Sequence, residues 1–387
     1  MKTILFVHQS AELYGSDKTL YYLVKDLAKH QIRAIVVLPE EGPLASLFRE
    51  SNIELIISPI IKLSRSTLGI KNILKLPFHS ISSLSKINKK LKNEKIDIVH
   101  SNTLAVLLGA LYAKQKKIRH IWHVHEIIEQ PKILNTLYRH LVTCFSNQVV
   151  FNSKASFESL VKGNRKLFKK SSVIYNGVEL KKSSYPDKDI YDFKKNHLKI
   201  PSGNLVICLV GRISRWKGHH LLLEAFDRLQ QKFKNISLVF IGSPPNDQTF
   251  FLSQLKDSIA EKKLARKVSI LPFTSDIEKV WACIDIAVVP STEPEPFGLV
   301  AIEAMHHSKP VVAAKHGGLL EIIEHNKTGL LFEPNHVDAL CSSLEILLEN
   351  TELRKELGEA GKAFVKEHFI LDDYVLNFVQ CYKNNGI

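Results

Sequence analysis

One pattern constrains this chain more than any other: short, continuously apolar runs alternate with longer amphipathic segments from end to end. The runs are Thr3–His8, Ala34–Leu38, Glu54–Ser58, Ile96–His100, His120–His125, Val149–Asn152 and Val173–Tyr175. A second series follows at Leu205–Val210, Leu238–Gly242, Val268–Leu271, Ala287–Pro290, Val311–Ala314 and Gly329–Phe332. Helical periodicity separates them, as in Thr19–His30, Leu104–Lys114, His219–Phe233, Val300–His307 and Val337–Leu348. A run with no polar alternation reads as a strand covered on both faces, and strands separated by helices form parallel sheets. The expected fold class is therefore α/β, with doubly wound parallel sheets.

Thirteen strands exceed what one open, twisted sheet usually holds. The series also breaks once, at residues 181–203 (KKSSYPDKDIYDFKKNHLKIPSG), which are polar, contain Pro and offer no strand. The expected division is a first domain over 1–180, a linker over 181–203, a second domain over 204–368 and a C-terminal helix over 369–387 that crosses back to the first domain. Charge follows the same division. The net +14 is distributed as +15 over residues 1–190 and −1 over residues 191–387, so only the front half is suited to an anionic surface.

Other features narrow the class. Five cysteines, Cys144, Cys208, Cys283, Cys341 and Cys381, are odd in number and widely spaced, which fits free thiols in a reducing cytoplasm and no zinc knuckle or redox motif. The first apolar run is too short for a signal peptide, and no run reaches 18 residues, so no bilayer-spanning segment is expected.

In open parallel sheets ligands bind beyond the carboxyl ends of the strands, and chemistry-bearing residues crowd there. The densest string is PSTEPEPFGLVAIEAM, 290–305. A strand ends at Pro290 and a helix begins near Gly298 or Leu299, leaving free N–H groups suited to a phosphate. Glu295 before the helix and Glu303 one turn inside it can accept hydrogen bonds from sugar or ribose hydroxyls. Each has a plainer reading, Glu295 as a partner of the helix dipole and Glu303 as a solvated helix residue.

The second string is GRISRWKG, 211–218, directly after an apolar strand. Arg212 and Lys217 can neutralise a diphosphate; the plainer reading is an exposed basic turn. The string is neither a P-loop nor a GxGxxG turn. In the loop HQSAELYGSDK, 8–18, Gly15 lets the backbone approach a ligand and Ser16 or Asp17 can cap the next helix. In HIWHVHEI, 120–127, His123 and His125 fall on one side of a strand, with His125 and Glu126 at its carboxyl end; a structural histidine is the alternative. Paired glycines in KHGGLLE, 315–321, again precede a helix. No carboxylate or histidine set suggests a metal.

Residues 61–119 carry thirteen Lys or Arg against Glu94 and Asp97. Within them Ile81, Leu84, Ile87 and Leu91 recur at helical spacing beside Lys86, Lys89, Lys90 and Lys92. Such a helix can lie on anionic lipid or pack into the core with a solvated lysine face. Nucleic acid is not expected, because no aromatic interleaving accompanies the charge.

Together these segments resemble the family-4 retaining glycosyltransferases of GT-B fold, and a weaker likeness of HSNTLAVLLGALYAK (100–114) and WHVHE points to the surface-polysaccharide branch, lipopolysaccharide included. The resemblance implies two Rossmann-like domains facing across a cleft, the first binding acceptor and the second nucleotide sugar. It implies that Glu295, in the E-x7-E motif EPFGLVAIE, holds donor-sugar hydroxyls and Glu303 the ribose. Phe297, Gly298 and Leu299 would supply backbone contacts, and Arg212 and Lys217 the diphosphate-binding pair. Gly15 would sit in the N-terminal glycine loop, whose usual Gly-Gly-Ala-Glu is here Tyr14-Gly15-Ser16-Asp17. His125 would lie near the donor sugar and Phe273 in the loop that reads the base.

The implied reaction moves a hexosyl group from a nucleotide-diphosphate sugar to a glycan or lipid-linked oligosaccharide, with retention, with no cofactor and without metal. A UDP-sugar is expected ahead of a GDP-sugar. The enzyme would work in the cytoplasm, peripheral on an anionic membrane face. The competing readings are a GT-B-type sugar-nucleotide epimerase, a nucleotide-dependent dehydrogenase, and a non-catalytic binder of nucleic acid or acidic polymer. The E-x7-E motif disfavours both enzymes, and the missing GxGxxG argues against the dehydrogenase.

Overall fold

The structure is a computed structural model and describes residues 1–60, 82–179, 185–245, 248–274 and 276–387. The chain divides into two compact units, Met1–Gly177 with Leu371–Ile387, and Val178–Ile370.

The first unit is built on seven strands: β1 (Lys2–His8), β2 (Ile32–Leu38), β3 (Glu54–Ile57), β4 (Ile98–Asn102), β5 (Arg119–Val124), β6 (Gln148–Phe151) and β7 (Ser171–Val173). They pair in parallel in the order β3-β2-β1-β4-β5-β6-β7. The continuous apolar run of β1 is explained by its position at the centre. Ile4 and Phe6 join a cluster with Leu20, Phe48 and Phe378, while Leu5 and Val7 join another with Ile87, Leu91 and Tyr112. Both faces of the sheet are therefore covered, as expected for parallel strands linked by helical crossovers.

The helix Leu371–Asn384 completes this unit. It packs on the helix Gly15–Leu27, burying Tyr374, Phe378 and Tyr382. The last 17 residues thus fold with the first 177.

The second unit carries β8 (Leu205–Val210), β9 (Ile236–Ile241), β10 (Val268–Leu271), β11 (Ile286–Val289), β12 (Val311–Ala314) and β13 (Leu330–Phe332). They too are parallel, in the order β10-β9-β8-β11-β12-β13. Phe226, Phe240, Leu222 and Leu344 belong to its largest apolar cluster. Each sheet reverses its strand order once, between β1 and β4 in the first and between β8 and β11 in the second. These reversals open crevices at the strand ends, the places where α/β sheets take ligands.

One expectation needs correction, and one pair of alternatives is decided. The stretch 181–203 is not an extended linker: residues 180–184 lie outside the described residues, but Asp187–Asn196 is a helix packed on Ile277–Cys283 within the second unit, which begins at Val178. Its polarity concealed it, since none of its residues is fully buried. The basic amphipathic segment also turns its apolar stripe inward. Ile81 and residues 61–80 lie outside the described residues, but 82–90 are helical, Ile87 and Leu91 are buried, Leu84 packs against the same core, and Lys86, Lys89, Lys90 and Lys92 are exposed. The apolar side is used by the core, so only the lysine face is left for an anionic surface. Among the described residues, no helix is long and apolar enough to cross a membrane.

Candidate active site

In the second unit the loops that follow β8 and β11 meet at the sheet's reversal. The contact depends on Gly218, which has φ +77°; a Cβ there would collide with the Pro290 carbonyl oxygen. The Thr292 N–H donates to the Trp216 carbonyl at 2.8 Å, fastening one loop to the other. Lys217 then reaches Glu295, with Nζ 2.5 Å from Oε1 and 4.2 Å from the centroid of the Trp216 ring. The Ser291 hydroxyl donates to the same Glu295 oxygen at 2.6 Å. The two charged side chains are only 18% and 5% exposed, so their attraction is poorly screened and either charge left alone would be costly.

A third loop closes on the same residue. The Gly318 N–H donates to the Glu295 carbonyl at 2.7 Å, and Gly317, at φ +59°, lies so close that a Cβ would strike that carbonyl oxygen. Glu295 is thereby fixed at both main chain and side chain. Three residues further on, Gly298 caps the helix Leu299–His306, whose first N–H groups lack intrahelical acceptors and carry the positive end of the helix dipole. An ammonium, a carboxylate and a helix N-terminus at one crevice can bind an anion and a polyhydroxylated group side by side.

The first unit presents a different assembly at its reversal, between β1 and β4. His8 ends β1 and lies 2.6 Å through Nε2 from Asp17 Oδ1. Asn102 ends β4, and its Nδ2 lies 3.0 Å from His8 Nδ1 and donates to the Ser16 carbonyl at 3.3 Å. Its Oδ1 is 2.9 Å from His125 Nε2, just beyond β5. His123 packs against His125, with ring centroids 3.9 Å apart and the planes tilted by 47°. Burial, then the neighbouring His8, holds His125 down to about 3, so its ring is neutral near pH 7.

Glu126 braces this end of the sheet. Its carboxylate accepts from the Leu104 N–H at 3.1 Å and the His125 N–H at 2.9 Å, and burial nevertheless raises it to about 7. Thr103, between Asn102 and Leu104, is held at φ +100°, an unfavourable backbone for a β-branched residue. Its N–H donates to the His123 carbonyl at 2.8 Å, and its carbonyl accepts from Trp122 Nε1 at 2.8 Å.

With this geometry in view, the comparisons with known proteins are informative. Residues 14–182 match the family model described as Glycosyltransferase Family 4, and residues 191–364 that of Glycosyl transferases group 1. An uncharacterized glycosyltransferase of Methanocaldococcus jannaschii is 31% identical over 288 residues, covering 73% of this chain and 74% of the relative. The chain belongs to this glycosyltransferase family. The human alpha-1,3/1,6-mannosyltransferase ALG2 is 27% identical over 307 residues, 72% of this chain and 71% of its own. The crystal structure of Anabaena HepE in complex with UDP-glucose aligns with a TM-score of 0.86 over 99% of this chain and 100% of that one, at 25% identity. The fold class is GT-B, with two parallel-sheet α/β domains.

The glycosyltransferase fold distributes the residues expected from sequence between its two units. Lys217, Glu295 and Gly298 converge at the second sheet's reversal. Arg212 and Leu299 are half-buried in the same loop and helix start, and Glu303 is half-buried one turn into that helix. Phe297 is 3% exposed, with its ring edge-on to Phe369 at 5.7 Å, so only its main chain is available to a ligand. Phe273 is half-buried after β10, and its N–H donates to Ser243 Oγ at 3.1 Å.

Gly15 and His125 belong to the first unit. Gly15 is exposed and opens the helix Gly15–Leu27 without a positive φ; the cap is Tyr14, whose N–H donates to Asp17 Oδ2 at 2.9 Å. Two residues escaped the sequence reading, Ser291 beneath Glu295 and Asn102 between two histidines. Ser291 could have been noticed as a hydroxyl four residues ahead of a loop carboxylate. Asn102 could have been noticed as the polar end of an apolar strand. Among the described residues, no group of three or more His, Cys, Asp or Glu side chains is placed to hold a metal ion.

Proposed function

We propose that this glycosyltransferase transfers a hexosyl group, with retention, from a nucleotide-diphosphate sugar to a glycan or lipid-linked oligosaccharide in cell-surface polysaccharide biosynthesis. The observation that carries the reading is the Lys217–Glu295 pair beside the N-terminus of the helix Leu299–His306. When the glycosidic bond to the diphosphate breaks, charge accumulates on the departing β-phosphate oxygen. Arg212, Lys217 and the helix N–H groups would stabilise it where it forms. Two fixed cations supply the neutralisation that a divalent metal supplies elsewhere. Glu295, anchored by Ser291 and Gly318, would hold donor-sugar hydroxyls, and Glu303 the ribose.

In the proposed step the acceptor oxygen bonds to the anomeric carbon from the face the phosphate leaves, and the acceptor proton passes to the departing phosphate oxygen. That route requires no separate general base. His125 would contact the donor sugar, Gly15 the donor through its glycine loop, and Phe273 the base. The UDP-glucose complex of Anabaena HepE supports a uridine donor ahead of a guanosine one. The basic front half supports an anionic acceptor or lipid headgroups through charge alone, and the five free cysteines support a reducing cytoplasmic site.

The test is a thermal-shift screen against UDP- and GDP-sugars, which reads donor identity without the acceptor. A ligand at one hundred times its Kd stabilises by about 2.7 kcal/mol. A shift with UDP-sugars that is lost in Lys217→Ala supports the assignment. Equal shifts for wild type and Lys217→Ala would refute it.

A further inference from the structure

At the first unit's strand reversal the hydrogen bonds form a chain whose polarity can be worked out from one end. The Tyr14 N–H can only donate, and it does so to Asp17 Oδ2 at 2.9 Å. Asp17, 1% exposed, is left with Oδ1 as an acceptor, 2.6 Å from His8 Nε2, so His8 carries a proton there. With its proton on Nε2, His8 can accept at Nδ1, which faces Asn102 Nδ2 at 3.0 Å and, less closely, the Asn102 main-chain carbonyl at 3.2 Å. The same Nδ2 lies 3.3 Å from the Ser16 carbonyl, which can only accept. Two acceptors on one side orient the Asn102 amide. Its Oδ1 must then face His125 Nε2 at 2.9 Å, and that nitrogen must donate. His123 Nδ1, 3.2 Å from the same nitrogen, is a secondary acceptor, and its own Nε2, fully buried, has no partner.

We propose that Asp17, His8 and Asn102 are positioning residues that hold His125 in its Nε2–H tautomer, leaving Nδ1 to accept a hydrogen bond from a hydroxyl-bearing ligand. The ligand clause rests on the proposed sugar transfer; the tautomer does not. The charged and titratable groups around His125 include His8, Asp17, His100, His123 and Glu126. Among them Asp17 is the origin of the order, because its second oxygen is committed to a main-chain donor.

The experiment is ¹⁵N NMR of the full chain with selectively labelled histidine, in which the pattern of two-bond ring correlations distinguishes Nε2–H from Nδ1–H. The signals are assigned by their loss in His8→Gln and His125→Gln. Wild type is expected to show Nε2–H at both positions. In Asp17→Asn the amide must turn its oxygen to Tyr14 and its NH2 to His8. The His8 proton then moves to Nδ1, where the Asn102 carbonyl oxygen waits at 3.2 Å, and the His125 signal spreads over both tautomers. Asn102→Leu should scramble His125 directly and lower kcat on the order of tenfold, with the donor KM little changed.

An Nδ1–H tautomer at His125 in wild type, or an imidazolium at His8, overturns the proposal even if neither variant folds. So does a His125 tautomer that both variants leave intact, or scrambling in Asn102→Leu with unaltered kcat. Failure of every nucleotide sugar to support transfer, with His125 still Nε2–H, removes the proposed reaction and leaves the tautomer assignment standing.

Discussion

The two units share a plan and differ in the chemistry placed on it. Each is a parallel sheet with one reversal of strand order, and each gathers polar residues at the carboxyl ends beside that reversal. In the second unit the end is made of glycines and full charges: Gly218, Gly317 and Gly318 bring three loops together around Lys217 and Glu295. In the first it is made of rings and amides in fixed order, His8, Asn102, His123 and His125, with Asp17 and Glu126 at the margins. Charge suits a leaving phosphate, whereas an ordered hydrogen-bonding network suits hydroxyl groups. The difference shows how one topology can carry two kinds of chemistry.

The comparison is tested hardest by removing the charges. Glu295→Gln and Lys217→Ala are each expected to lower kcat by about 10²–10³, the usual cost of losing one group aimed at developing charge. Lys217→Ala also strands a buried carboxylate and should cost up to about 3 kcal/mol in unfolding free energy, short of unfolding the chain. Steady-state kinetics with urea unfolding separates the two losses. Near-normal turnover in Lys217→Ala would end the claim that the second unit stabilises the leaving group, and in Glu295→Gln the claim that it holds the donor sugar.

The glycines give the next contrast. Gly218→Ala places a methyl group against the Pro290 carbonyl at a φ that side chains avoid, and should cost about 1–3 kcal/mol along with most nucleotide affinity. Gly15→Ala starts a helix with no positive φ and should leave stability within about 0.5 kcal/mol. Calorimetry on both variants checks this. Equal losses would show that the first loop is as tightly built as the second.

How much of this was legible beforehand follows the same division. Apolar runs marked twelve of the thirteen described strands, because burial leaves few polar positions to disguise them; the run expected at Val173–Tyr175 missed β7, Ser171–Val173, which opens on two serines and is only half-buried. Their ends were less legible: β4 was expected to stop at His100 but runs Ile98–Asn102, since its polar end is paired and buried rather than solvated. Lys217 and Glu295 stood out as charges in glycine-bearing loops after strands. Asn102 did not, because its partners His8 and Ser16 lie 94 and 86 residues away and only the sheet order brings them near. The helix Asp187–Asn196 was concealed by its lack of buried residues.

Acid should separate the units further. His100, His120, His123 and His125 are pushed down by burial, His120 to about 4 and His125 to about 3, whereas the second unit holds His219 at about 3 and His307 at about 4. A histidine depressed in the folded state binds fewer protons there than when unfolded. Its contribution is intact above the unfolded value of 6.5 and is lost as the pH falls toward the folded value. Hydrogen exchange, corrected for intrinsic rate, should therefore show protection in β4 and β5 falling between about pH 7 and pH 5 by more than in β8 and β11. Equal falls would mean that the ring network is not the acid-labile element.

Glu126 supplies the smallest and most discriminating effect, because its sign is opposite. Burial raises it from 4.5 to about 7, so the folded state binds the proton more tightly than the unfolded chain does. Stability from this group is present below 4.5 and declines as the pH rises to about 7, then levels off. Glu126→Gln removes the titration while keeping one oxygen for the Leu104 or His125 N–H. The variant should match wild type near pH 4.5 and gain on it by about 1–2 kcal/mol by pH 8, a figure reduced because Glu126 is only half-buried as a residue. Urea midpoints across that range provide the measurement. If the difference stayed flat with pH, Glu126 would be an ordinary ionised brace at this end of the sheet.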